Sequence, residues 1–283
     1  MSEPETGDRS GGVTAIRKLA VIGGGKMGAT LVRALLDQGL LAPAQVVATT
    51  RHRVSADELA QRLGIAAGTD NAAAVEGTDV ILLCVKPQAL ADAMATMAGA
   101  LRPGQLLISI LASATTRHIE RLLPLPLPVV RAMPNTPALV GAGMTALCAG
   151  AGCGPEHLAL AESLFAAIGR TMVLDEKHMD AVTALSASGA AFVYVVIESL
   201  AEGGVKVGLP RRIATELAAQ TCLGAAKMVL ETGEHPALLK DAVTTPAGCT
   251  IDGLLTLEEG GLRVTLIKAV VESTRRAGEL IGK

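Results

Sequence analysis

The chain has 283 residues, half of them hydrophobic, with 25 Lys and Arg against 27 Asp and Glu and a formal net charge of −2. That length allows one large domain or two moderate ones, and a near-neutral balance without a basic block lacks the positive patch that nucleic-acid binding requires. Mean hydropathy is high at +0.44. No uninterrupted apolar run reaches the roughly 18 residues of a membrane helix, so the expectation is no membrane span and a surface partly covered by oligomerisation.

Two Phe, one Tyr and no Trp leave the core to Ala, Leu, Val and Ile, which favours close helix packing. The five cysteines, Cys84, Cys148, Cys153, Cys222 and Cys249, form no CxxC and no disulfide framework. They read as buried thiols of a reducing compartment. The opening residues MSEPETGDRSGGVT are polar and Gly-rich with no apolar h-region, so 1–15 is expected to be a disordered tail and the location cytoplasmic.

From residue 16 to 175, strand-like and helix-like stretches alternate. LAVIG (19–23), QVVATT (45–50), DVILLCV (79–85), QLLISIL (105–111) and PVVRAM (128–133) read as strands, with helical spacing between the first four. GMTALCAG and GRTMVLDE add two further strands around a helix at 155–168. The rhythm implies an α/β domain with a parallel sheet covered on both faces. From 176 to 283 the strand pattern stops. Long Ala-rich helices follow, one with Pro210 near its start, so the second domain is expected to be all-α.

Gly23-x-Gly25-x-x-Gly28 follows the first strand and opens a helix through Lys26 and Met27. In that setting Gly23 permits the turn, Gly25 lets backbone approach a pyrophosphate, and Gly28 lets helix pack on sheet. The helix start supplies N–H groups to phosphate. Roughly 20 residues further on, a ribose-binding carboxylate marks an NAD site. Here the second strand ends in Thr49-Thr50-Arg51-His52-Arg53. Guanidinium groups without a carboxylate favour a 2′-phosphate, hence NADPH, with NADH as a weaker alternative. Two more loops fall where strand ends meet the cofactor crevice: Val85-Lys86-Pro87 and Met133-Pro134-Asn135-Thr136-Pro137. The five histidines show no ligand spacing, and no metal is expected.

These stretches resemble the Δ1-pyrroline-5-carboxylate reductase family. The resemblance runs from Ala20 to the C-terminus and rests on VIGGGKMG, CVKP, RAMPNTPALVGAG, ALSASGAAFVYVVIESLAEGGVKVGLPRR, LKDAVTTPAGCTIDGL and the closing helix. It implies a Rossmann domain followed by a helical domain that forms intertwined homodimers, often assembled into decamers. It implies reduction of a cyclic imine carboxylate, 1-pyrroline-5-carboxylate, to L-proline by hydride transfer to the C=N carbon, the last step of proline biosynthesis. Binding and orientation then do most of the protein's work. By resemblance, Gly248 and Cys249 offer main-chain donors to the substrate carboxylate, Thr250 directs its hydroxyl at the ring nitrogen, Thr245 adds a second hydroxyl, and Met133 lines the substrate. Asn71 joins the cofactor residues on the same ground.

From the residues alone, Thr250 is either a ligand or an ordinary helix N-cap. Three places depart from the family's usual pattern. Ser186-Ala187-Ser188-Gly189-Ala190 stands for Ser-Gly-Ser-Gly-Pro, Ala112-Ser113 for Ala-Gly, and Thr245-Pro246-Ala247-Gly248 for Ser-Pro-Gly-Gly. Two other readings share the domain plan: a β-hydroxyacid dehydrogenase and a non-catalytic NADPH-binding scaffold. The first would want a lysine in the first long helix of the helical domain, and 186–200 has none.

Overall fold

A computed structural model describes residues 16–112 and 114–280. The expected tail at 1–15 and the departure at Ser113 lie outside the described residues. The chain divides into two compact units, one running to Ala187 and regaining the chain from Ser273, the other spanning Ser188–Glu272.

The first unit is built on a sheet of eight strands in the order β3-β2-β1-β4-β5-β6-β7-β8. The strands are β1 (Leu19–Ile22), β2 (Val46–Thr49), β3 (Ala66–Gly68), β4 (Val80–Leu83), β5 (Leu106–Ser109), β6 (Val129–Met133), β7 (Gly143–Ala149) and β8 (Gly169–Val173). Every residue of β1, β4, β5 and β6 is buried, as expected for strands covered on both faces. Alternate side chains build two cores. Leu19, Val21, Val80, Leu82 and Ile108 face one side with Leu31, Leu35, Leu59 and Phe165. Ala20, Ile22, Ile81, Leu83 and Leu107 face the other with Met94, Met97 and Ile119. The helices of these layers are α1 (Lys26–Asp37), α2 (Arg53–Leu63), α3 (Asn71–Val75), α4 (Leu90–Met97), α5 (Thr116–Leu122) and α6 (Pro155–Ala166).

The sheet is not wholly parallel, because β7 runs antiparallel to β6. Only residues 134–142 join them, mostly a 3₁₀ turn at Thr136–Val140, and a parallel crossover needs about a dozen residues or more. Three short elements escape the sequence pattern: β3, α3 and α5. Strand β3 is Ala-Ala-Gly, with weak β-propensity, and pairing with β2 holds it in place.

The sequence places the domain division near residue 175, whereas the compact units part at 187. Residues 176–187 hold fast to the sheet. Met179, in α7 (Met179–Val182), is fully buried with Met133, Ala146 and Cys148. A π-helical turn, Thr183–Ser188, follows, and α8 (Gly189–Lys206) continues from it. The stretch Glu176–Lys206 contains an 18-residue segment of mean hydropathy 1.6, long and apolar enough to cross a membrane by length and composition. A search for uninterrupted apolar runs misses it, because Ser, Gly and Glu punctuate it.

The second unit comprises α8, α9 (Arg211–Thr232), α10 (Pro236–Ala242), α11 (Cys249–Glu259) and the first half of α12 (Leu262–Leu280). Its buried core is small: Ala201, Ala214 and Ala218, with Ile197 and Val205 partly buried beside them. A Cβ on Gly204 would sit 3.0 Å from that of Ala214, so small residues let α8 and α9 approach. Large apolar side chains stay outside, including Tyr194, Val195, Leu230, Ile267 and Val271, each more than half exposed. The cysteines are all free thiols, but they are not all buried: Cys249 is exposed, because it opens α11.

A tight constraint at the cofactor end of the first unit is at Gly23. Its φ is +96°, and a Cβ there would lie 2.9 Å from the backbone of Cys84 and Val85. Gly23→Ala is expected to lose about 2–4 kcal/mol, from a left-handed backbone penalty plus a clash with main chain that cannot rotate away. The urea unfolding midpoint of the cofactor-free protein measures it; an unchanged midpoint would refute the constraint.

Candidate functional site

The first-unit site is assembled at the C-terminal ends of the strands, where an open α/β sheet places its ligand crevice. Gly23 and Gly24 both donate their N–H to the carbonyl of Thr49, at 3.1 and 2.6 Å, tying the turn after β1 to the end of β2. Gly28 packs α1 on the sheet: a Cβ there would lie 3.1 Å from Val21 Cγ1 and 3.3 Å from Cys84 Sγ. Gly25 is the N-cap of α1 and no side chain caps it. A Cβ on Gly25 would meet nothing within 4 Å, so bare backbone faces open space beside the first-turn N–H groups of Lys26, Met27 and Gly28. That combination fits a pyrophosphate. Lys26 is exposed, and Met27 packs its side chain against the core.

A cleft of about 430 Å³ opens beside this turn, lined by Gly23, Thr50, Arg51, Asn71, Val85 and Lys86 among others. Its size suits part of a nucleotide. Six of the cofactor residues expected from sequence therefore meet in one cavity. Asn71 is held there at both ends of its amide: its Oδ1 accepts from Thr49 Oγ1 at 2.7 Å, and its Nδ2 donates to Thr96 Oγ1 at 2.9 Å. Thr50 donates its hydroxyl to the His52 carbonyl, which shapes the turn carrying Arg51. The two arginines that the sequence offers separate here. Arg53 pairs with Asp57 at 2.9 Å, while Arg51 lies in the cleft with no salt bridge among the described residues. Lys86 and Pro87 are exposed, at the start of a 3₁₀ turn leading into α4.

The β6–β7 loop reads differently from expectation in one respect. Met133 is 4% exposed, with its side chain buried against Ala146, Cys148 and Met179. That side chain is packed into the core and is not exposed at the loop. Burial also pushes the Cys148 thiol up to about 12, which makes it an inert core residue. Pro134 is buried. Asn135 accepts from the Met144 N–H at 2.9 Å and donates to Ser186 Oγ at 3.1 Å, so its amide holds the loop. Sequence reasoning missed Arg131, Thr116 and Glu176, which meet beneath this edge. The available signal was an arginine inside an apolar strand, which cannot be buried without partners.

In the second unit, Thr245-Pro246-Ala247-Gly248 forms a tight turn. The Gly248 N–H donates to the Thr245 carbonyl at 3.0 Å, Pro246 takes the second position, and Ala247 has φ +56° at the third. That is the pattern of a type II turn, whose third position favours glycine. Gly248 then caps α11 without a side-chain bond. A Cβ on Gly248 would lie 2.5 Å from Thr245 Oγ1, so that hydroxyl sits over the mouth of the helix. Cys249 and Thr250 occupy the first helical turn, and Thr250 is therefore not the cap. Its hydroxyl makes no hydrogen bond among the described residues, whereas Thr215, Thr232, Thr244, Thr256 and Thr265 each bond the carbonyl four residues back.

A glycine-turn Rossmann unit with a nucleotide-sized cleft, joined to a helical unit that presents a bare helix start, defines a dinucleotide-dependent oxidoreductase. Comparison with known proteins is more specific. Residues 176–280 match the family model described as pyrroline-5-carboxylate reductase dimerisation, and 18–113 match that of NADP oxidoreductase, coenzyme F420-dependent. A pyrroline-5-carboxylate reductase of Synechocystis sp. is 44% identical over 93% of this chain and 98% of its own. The structure of such a reductase from Coxiella burnetii superimposes with a TM-score of 0.88 at 34% identity, covering 94% of this chain and 99% of that one. A Plasmodium falciparum pyrroline carboxylate reductase with NADP bound gives 0.84 at 28% identity, covering 94% and 98%. The chain belongs to the pyrroline-5-carboxylate reductase family, and its reaction is NAD(P)H-dependent reduction of 1-pyrroline-5-carboxylate to L-proline.

Ala247 occupies a left-handed position at a cost of about 1–2 kcal/mol. Ala247→Gly removes that strain against a smaller gain in unfolded-chain entropy. The unfolding midpoint should rise by the equivalent of about 0.5–1 kcal/mol. A fall would show that the turn does not hold this conformation.

Proposed function

We propose that the substrate carboxylate is held at the start of α11 by the main-chain N–H groups of Cys249 and Thr250; Gly248, expected as a donor, gives its N–H to the Thr245 carbonyl and keeps the approach open instead. Such a helix start favours an anion through its unpaired donors and its dipole. Thr250 is the catalytic residue of the proposal: Oγ1 accepts from the N–H of the protonated imine and fixes the ring nitrogen. Thr245 places a second hydroxyl over the same helix mouth. The observation that carries this reading is the Thr250 hydroxyl, half-buried in the first turn of α11 and without a hydrogen bond among the described residues, beside a helix start that no side chain caps. A neutral hydroxyl orients the iminium without adding a positive charge beside it.

The bound dinucleotide supplies the hydride. Its pyrophosphate falls to Gly23, Gly25, Lys26, Met27 and Gly28, and its adenosine half to the cleft of Thr50, Arg51 and Asn71. Val85, Lys86, Pro87, Pro134 and Asn135 line the remaining strand ends. Arg51, unpaired in the cleft, makes NADPH the preferred form. The exposed apolar helices face another copy of this chain in a homodimer, a building block for a decamer, rather than lipid. The family model over 176–280 supports that reading. The enzyme is assigned to the cytoplasm on its free thiols.

Two variants test the assignments. Thr250→Ala should lower kcat/KM for 1-pyrroline-5-carboxylate by about tenfold or more, the worth of a hydrogen bond to a charged group, with NADPH affinity unchanged. If kcat/KM holds, Thr250 has no part in the reaction. Arg51→Ala should raise the KM for NADPH at least about tenfold, the loss of one charge-assisted contact, and leave that for NADH nearly constant. Equal losses would remove the 2′-phosphate contact.

A further inference from the structure

Arg131 sits in the middle of β6, a strand buried at every residue, with its side chain 1% exposed. Nη1 donates to Oε1 of Glu176 at 3.3 Å, and Nη2 donates to the Ala112 carbonyl at 2.6 Å. Glu176 also accepts from the Thr116 N–H and from the Thr116 hydroxyl, each at 2.8 Å. Arg131 Nε has no hydrogen-bond partner among the described residues. One fork thus joins the loop after β5, the first turn of α5, strand β6 and the turn leading into α7. Further along the same stretch, Ser186 accepts from Asn135, which in turn accepts from Met144. Residues 176–186 therefore hold the start of α5 directly through Glu176, the loop after β5 through Glu176 and Arg131 in series, and the loop after β6 through Ser186.

Stability alone is a poor reason for this arrangement. A buried ion pair with an orphaned donor is commonly matched or bettered by a hydrophobic residue of similar volume. A planar fork does something leucine cannot: it fixes a carbonyl and a carboxylate in one defined relation. The two loops it governs lie at the C-terminal ends of β5 and β6, on the far side of β4 from the cleft of Arg51 and Asn71. A dinucleotide lies across both halves of such a sheet, so with its adenosine in that cleft its nicotinamide half falls over these ends.

We infer that Arg131 is a positioning residue for hydride transfer. Through Ala112 and Glu176 it sets the loops after β5 and β6 against which the nicotinamide half rests. This inference rests on the cofactor placement given above. Lysine at this position keeps the charge and can reach one acceptor, but it loses the fork.

The test uses the full-length enzyme with 2′,5′-ADP as a probe of the adenosine side alone. Arg131→Lys should bind 2′,5′-ADP within twofold of the wild type while kcat for 1-pyrroline-5-carboxylate falls about 10- to 100-fold, the scale of a reacting group displaced by about 1 Å. The primary isotope effect with 4-deuterated NADPH should rise, because hydride transfer becomes the slow step. Thr116→Val removes one hydroxyl from Glu176 and should show the same pattern at about fivefold. Wild-type kcat and isotope effect in both variants, with 2′,5′-ADP bound normally, overturn the inference. If Arg131→Lys fails to fold, Thr116→Val decides alone: slowed transfer at intact 2′,5′-ADP affinity supports the role, and unchanged kcat overturns it. Absence of 2′,5′-ADP binding in the wild type would instead overturn the cofactor placement, and the inference with it.

Discussion

The first unit depends on a close approach that no side chain could survive. The turn after β1 passes the end of β4 so tightly that any Cβ on Gly23 would meet the Cys84 and Val85 backbone. That approach lets Gly23 and Gly24 share the Thr49 carbonyl, which locks the ends of β1, β2 and β4 into one rim. The helix start beyond it then points bare N–H groups at open space, and the cleft of Arg51 and Asn71 opens beside the same turn. The proposed phosphate site follows from steric emptiness: a Cβ on Gly25 would meet nothing within 4 Å.

Much of this was legible in the sequence because local patterns carry it. The glycine spacing after LAVI, the apolar strands and the missing carboxylate after β2 all act within a few residues of one another. What was not legible is long-range. Which of Arg51 and Arg53 is free is the local exception: it turns on Asp57, one helical turn beyond Arg53 on the same helix. Nothing in the β6–β7 loop shows that Met133 turns inward to meet Met179. Glu176 and Arg131 are far apart in sequence, so the charge inside PVVRAM announced a need for a partner without naming it. Strand β3 is too short and too poor in β-branched residues to register alone. The antiparallel β7 could have been read from the short link before it.

The second unit shows that small residues in one turn are not interchangeable. Its turn places Ala247 where glycine is favoured and keeps glycine at Gly248, where a Cβ would collide with the Thr245 hydroxyl. The two positions are not equivalent. One costs modest backbone strain, while the other would close the mouth of α11. A sequence pattern of four small residues conceals that difference, and geometry separates the tolerable replacement from the forbidden one.

The slender alanine core of the second unit has a consequence for how this enzyme behaves in dilute solution. A bundle that buries little more than Ala201, Ala214 and Ala218 on its own draws most of its hydrophobic stabilisation from whatever covers Leu230, Ile267 and Val271. In the proposed homodimer its folding free energy is a function of protomer concentration, as for any association that covers an exposed apolar face. Activity lost on dilution would reflect melting of the helical unit as well as subunit release. The amount of enzyme present thereby becomes one of the determinants of its shape.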